Sequence, residues 1–204
     1  MAPVNPLTSP RQSGAERREA ILDAACEEIA VSGFGGATTA DIAKRAGISQ
    51  PYVFRFFPSK KELSLAVVDR CVGQVLADWE RVVPSSGETR LVALGRSYVE
   101  ALPNRRTQLL VQLQAYAAAD DPEMAEAMRH HLARIFRYIV LQARRDGAAD
   151  PYAEAAMFLS RGFLINAAMA IGLESTLTPE EWAGICSKSK VARVDDRAEQ
   201  AGAA

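Results

Sequence analysis

The chain has 204 residues, 49% of them hydrophobic and 24% charged, which is the composition of a globular protein with enough apolar material for a real core. Its net charge of −1 and pI near 6.2 exclude a uniformly basic nucleic-acid coat and leave room only for a local basic patch. Cys26, Cys71 and Cys186 form no CxxC pair and have no histidine at metal-ligand spacing, which argues against a metal site or a disulfide framework and fits reduced, buried thiols.

Residues 1–13 carry Pro3, Pro6 and Pro10 but no hydrophobic signal core, and read as a flexible leader of a cytoplasmic protein. Beyond them helical periodicity dominates and no segment alternates as a strand does, so an all-α fold is expected. Ser13 and Glu16 have the spacing of a capping box, opening a helix with Ile21, Leu22, Ala25, Cys26 and Ile29 on one face and Gly33 as its stop. Thr39 is placed to cap a helix over 40–46 that ends at Gly47. Ser49 is placed to cap a second helix over 50–56, with Pro51 in its first turn. Ser59-Lys60-Lys61-Glu62 is another capping box, opening a longer helix that meets no breaker before the linker Val83-Pro84-Ser85-Ser86-Gly87.

Further helices are predicted over about 88–102, 107–119, 122–145 and 151–172, with one more starting at Pro179 behind the capping box Thr178 to Glu181. Residues 191–204 are polar and alanine-rich, and read as a frayed tail. No uninterrupted apolar run approaches the ~20 residues of a membrane span, so no membrane partner is expected.

The segment 39–57 carries the chemistry. Two short helices joined across Gly47-Ile48-Ser49 have the length and turn residues of a helix-turn-helix. Ile42, Ala43, Ala46, Ile48 and Val53 form the inward set, which turns Gln50, Pro51, Tyr52 and Arg55 outward. Between Thr38 and Lys61 five basic residues, Lys44, Arg45, Arg55, Lys60 and Lys61, stand against one acid, Asp41, a local charge of +4. In a DNA reader the early residues of the second helix meet base edges and flanking groups hold phosphates. Gln50 can pair bidentately with adenine and Tyr52 can stack, touch a thymine methyl or reach a phosphate. Thr39 and Lys60 sit at helix starts, where free N–H groups favour an anion, and Lys44 and Arg45 are further backbone candidates.

The capped first helix, Thr-Thr-x-x-Ile-Ala-x-x-Ala-Gly-Ile-Ser, Val-Phe-x-Phe-Phe and Pro-Ser-Lys-Lys-Glu-Leu together resemble the N-terminal domain of TetR (tetracycline-repressor) family regulators over roughly residues 15–70. The resemblance implies a helix-turn-helix domain over 14–74 (core 39–57) and a helical ligand-binding and dimerisation domain over 75–190. It further implies a homodimeric repressor that leaves a pseudo-palindromic double-stranded DNA operator when a small apolar or amphipathic effector binds. Carried over by position, Thr39, Gln50, Pro51, Tyr52, Arg55 and Lys60 are the DNA-facing set. One departure is plain: where many members carry a tyrosine, this chain has Phe54 and Phe56, so a phosphate bond from a phenol at position 54 is missing.

Within the second domain the residues supply only candidates. Tyr116, Met128, His131, Phe136, Met157, Phe158 and Phe163 can line an apolar pocket, although aromatic and Met residues at helical spacing also simply fill cores. The predicted helix 152–172 is apolar around most of its circumference, which suits burial at a subunit interface. With the helix from Pro179, the family resemblance makes it half of a four-helix dimer bundle, with Ala156, Ser160, Phe163, Ala167 and Trp182 as interface candidates. No nucleophile elbow, metal cluster or phosphate loop supports an enzyme. A helical protein-interaction module without DNA binding is the remaining alternative.

Overall fold

A computed structural model of the protein describes residues 13–186; residues 1–12 and the expected frayed tail 191–204 lie outside the described residues. Among the described residues the fold is all-α, with no strand. The helices are α1 (Gly14–Gly36), α2 (Thr39–Arg45), α3 (Gln50–Phe54), α4 (Lys60–Trp79), α5 (Arg90–Ala101), α6 (Arg106–Ala117), α7 (Pro122–Arg145), α8 (Pro151–Ile171) and α9 (Pro179–Cys186).

Local chemistry sets most of the helix starts. Ser13 accepts from the Glu16 backbone N–H, while the Glu16 carboxylate accepts from that of Ser13, closing the predicted box. At α4 the box is half formed, because Ser59 accepts from the Glu62 N–H but Glu62 turns to the Ser59 hydroxyl. One cap is shifted by a residue. Thr38 caps α2, accepting from the Asp41 N–H at 3.1 Å and donating to its carboxylate, and Thr39 becomes the first helical residue. Ser49 occupies the cap position of α3 without a side-chain cap bond.

The chain forms two compact units that do not follow a single cut in sequence. Among the described residues, the first takes 13–81 together with Arg105–Ile135, and the second takes Val82–Asn104 together with 136–186. In the first unit α1 packs on α2, α4 and α6, and α3 packs on α2. Its core is aliphatic: Ile21, Ile29, Ile42, Val53, Leu63, Val67 and Val68 are all essentially inaccessible, the burial that drives such a bundle together. Gly33 breaks α1 with φ +70°, and a Cβ there would come within 3.1 Å of the Gln114 Oε1 on α6. It therefore serves both the kink and the close approach.

In the second unit, the segment read as a linker is tied down. Glu88 accepts from the Ser85 backbone N–H at 2.9 Å and from Arg96 at 3.0 Å, and these bonds, Arg96 first, hold its carboxyl down to about 2. Asp146, just past α7, accepts from the N–H groups of Arg90 and Leu91 at 2.8 and 2.9 Å, placing a carboxylate at the positive end of α5. The buried Asn166 of α8 accepts a hydrogen bond from the Tyr98 hydroxyl at 2.5 Å. An 18-residue window within α8 reaches a mean hydropathy of 1.2, enough by length and composition alone for a membrane span, although Glu154 and Arg161 interrupt every long apolar run. Its exposed apolar residues include Met157, Phe163, Leu164 and Ile171.

Candidate nucleic-acid interface

The turn between α2 and α3 decides how the second helix is presented. Gly47 adopts φ +67°, a left-handed conformation that a side chain disfavours, and the next N–H, of Ile48, bonds back to the Ala43 carbonyl at 3.0 Å. The chain leaves α2 sharply, and α3 starts three residues later. Ile42, Ala43 and Val53 are buried where the two helices meet, with Val53 wholly inaccessible. Burying Val53 leaves Gln50, Pro51, Phe54 and Arg55 exposed and Tyr52 half-exposed on the outer face of α3. The four residues expected to face outward from the sequence are exposed or half-exposed, and Phe54 joins them.

These side chains are organised by their neighbours. Gln50 Nε2 donates to the Thr39 hydroxyl at 2.7 Å. Thr39 itself is 8% exposed, so it supports Gln50 from below and does not present its own face to solvent. The Tyr52 ring stands 5.4 Å from Phe56 edge to face, with the Arg55 guanidinium 5.2 Å from its centroid. Arg17, from the first turn of α1, approaches the same ring at 5.8 Å, and Arg18 lies 4.9 Å from the Phe57 ring. Neither arginine is identifiable from the sequence as a neighbour of α3. The basic pair after the first capping box is their only signal, and nothing local connects it to residues 35 positions on.

The remaining cations divide. Lys60, the first residue of α4, reaches the Gly35 carbonyl at 3.0 Å, and its ammonium bonds no acid side chain there. Lys44 is exposed in the last turn of α2. Arg45 is committed elsewhere, to Glu28 at 2.9 Å and Glu27 at 3.1 Å, and these two α1 carboxylates, Glu28 first, hold its guanidinium above the ordinary range. Lys61 is likewise paired, with Asp121 and Glu123. The local +4 of the sequence is thus partly compensated in three dimensions. An open cleft of about 410 Å³ beside Lys60 and Lys61 is walled by Phe34, Leu65, Asp121 and Met124.

Residues 21–67 match the family model described as bacterial regulatory proteins, tetR family. Over these residues the chain is a TetR-family domain. The match spans α2, α3 and their turn, together with the buried parts of α1 and α4 that hold them. TetR-family proteins are DNA-binding transcriptional regulators and not enzymes. Among curated relatives, the transcriptional activator FasR of Mycolicibacterium smegmatis is 36% identical over 75 residues, covering 37% of this chain and 34% of FasR, so the match spans about a third of that relative's length. The regulator EthR of Mycobacterium tuberculosis is 27% identical over 147 residues, 69% of this chain and 67% of EthR. The Bacillus subtilis regulator FadR, solved in complex with stearoyl-CoA, superposes with a TM-score of 0.60 at 17% identity, over 78% of this chain and 88% of FadR. That likeness extends the TetR fold beyond the matched segment.

The expected pocket residues are distributed between the two units. Tyr116, Met128 and His131 belong to the first, Phe136, Met157, Phe158 and Phe163 to the second. Met128 and His131 are buried, whereas Met157 is 52% exposed and Phe163 37% exposed. Of the expected interface residues, Ala156, Ser160, Phe163 and Ala167 lie exposed on α8 and Trp182 is half-buried on α9.

Proposed function

We propose that the protein is a homodimeric, cytoplasmic repressor whose two α3 helices read a pseudo-palindromic operator in successive major grooves, and which a small apolar or amphipathic effector releases. One observation carries the reading. A wholly buried Val53 fixes α3 so that Gln50, Pro51, Tyr52 and Arg55 face outward together, with Lys60 at the start of α4 nearby in sequence. Gln50 suits adenine, Tyr52 a thymine methyl or a phosphate, and Lys60 and Lys44 the backbone. The exposed apolar residues of α8 supply the material for self-association, since a patch of that kind is rarely left bare on a monomer. FadR's acyl-CoA supports an amphipathic effector by analogy of fold.

The test is sedimentation of the full chain, alone and with a palindromic duplex recovered by selection. A dimer that binds as two chains per duplex, and is displaced by an amphipathic probe such as stearoyl-CoA, supports the reading. A monomer with no retention on DNA at low salt would instead favour a helical protein-interaction module.

A further inference from the structure

Two thiols that play no part in DNA reading lie side by side in the first unit. Cys26 on α1 and Cys71 on α4 are 6% and 4% exposed, and their sulfurs share a hydrogen bond at 3.3 Å. The helices that carry them are held together at the same level by Arg70, which reaches Asp23 at 2.5 Å and Glu19 at 3.6 Å. The segment between the two cysteines encloses the whole reading motif, residues 39–57. We propose that Cys26 and Cys71 are an oxidative modification site, at which a small two-electron oxidant of the hydrogen peroxide class joins the two sulfurs and staples α1 to α4 around the helix-turn-helix.

The chemistry balances with peroxide alone. The Cys26 thiolate attacks one peroxide oxygen, the O–O bond breaks, and the departing hydroxide takes the thiol's proton to leave as water, giving a sulfenic acid. Cys71 then attacks the Cys26 sulfur, the S–S bond forms, the S–O bond breaks, and the proton of Cys71 leaves with the hydroxide as a second water. Two thiols lose two electrons and the peroxide gains them. Cys26 is the attacking sulfur, because the hydrogen bond from Cys71 and then the charge of Arg70 lower its thiol against the burial that raises it, while Cys71 is pushed up. Closing from 3.3 Å to a disulfide's ~2.05 Å requires an approach of about 1.2 Å between groups already in contact. The slight exposure of both residues restricts the oxidant to a small one. Cys186, on α9 in the second unit, is the remaining thiol, and its removal leaves the pair alone to react.

The test uses the full chain carrying Cys186→Ser, treated with hydrogen peroxide, quenched with N-ethylmaleimide after denaturation, and mapped by mass spectrometry. The expected product is 2 Da lighter, takes up no maleimide, yields one peptide linking Cys26 to Cys71, melts higher than the reduced chain and reverts with dithiothreitol. The Cys71→Ala variant should instead accumulate a sulfenic acid at Cys26 that dimedone traps. Full maleimide labelling of both cysteines after peroxide, sulfinic acid without a bridge, or bridges only between chains would each overturn the proposal. Should the Cys186→Ser chain fold poorly, peptide mapping of the wild-type chain distinguishes the same outcomes.

Discussion

The carboxamide of Gln50 donates to the Thr39 hydroxyl at 2.7 Å, so the buried first residue of α2 sets the side chain of the exposed first residue of α3. One amide N–H is used in this bond. The other N–H and the carbonyl oxygen remain for the two-point contact that adenine offers. On the proposed function, Thr39 acts on sequence preference through Gln50 and not as a phosphate ligand. Thr39→Val should lower discrimination at one base position per half-site by about tenfold, the equivalent of about 1.4 kcal/mol. Non-specific affinity should not change, and Thr39→Ser should restore the preference. Binding titrations against operators varied one base at a time measure this. A uniform loss across all sequences would return Thr39 to the backbone.

Lys60 supplies the complementary behaviour. Its ammonium rests on the Gly35 carbonyl at the start of α4, and among the described residues it forms no ion pair. Lys60→Ala should weaken binding to every sequence alike and reduce the slope of log affinity against log salt by about one per half-site. A change in base preference with an unaltered slope would contradict that role.

Arg45 should behave differently from Lys60 although the two look alike in sequence. Its guanidinium ties α2 to Glu27 and Glu28 of α1. Arg45→Ala should lower the melting temperature and leave the salt slope nearly intact, and Glu28→Gln should repeat the stability loss. Both are read by thermal unfolding alongside the salt titration. A slope change in Arg45→Ala as large as that of Lys60→Ala would show that the ion pairs open on DNA.

His131 makes stability depend on pH. Burial pushes its imidazole below the ordinary range, and Asp69, whose Oδ1 lies 3.2 Å from Nε2, opposes that only in part, with His130 and Arg134 adding to the lowering. The folded state therefore binds a proton less readily than the unfolded chain. Stability is full above the ordinary histidine value of about 6.5 and falls as pH drops below it. Urea midpoints between pH 7.5 and 5 should decline for the wild type and decline less for His131→Gln. A wild-type midpoint that rises toward pH 5.5 would mean that Asp69 outweighs burial.

What is legible in the sequence is local. The boxes at Ser13 and Thr178 and the turn at Gly47 involve residues three or four apart, and there the spacing is enough. The shift of the α2 cap to Thr38 is legible too, because Asp41 lies three residues beyond Thr38 and two beyond Thr39. The commitment of Arg45 to Glu28, 17 residues away, depends on how α1 crosses α2, which no local pattern encodes. The same limit explains why residues 105–135 read with the second domain in sequence. Their place beside α1 and α4 is set by contacts such as Gly33 with Gln114, far apart in the chain.

The central claim is that α3 reads a palindrome as part of a dimer, and selection of bound duplexes from a random DNA pool by the full chain tests it most directly. The expected result is enrichment of two inverted half-sites about one helical turn or a whole number of turns apart. The joint Gln50→Ala and Tyr52→Ala variant should lose that enrichment while retaining salt-sensitive, non-specific binding. Recovery of no inverted repeat, or of the same repeat by the joint variant, would contradict the claim.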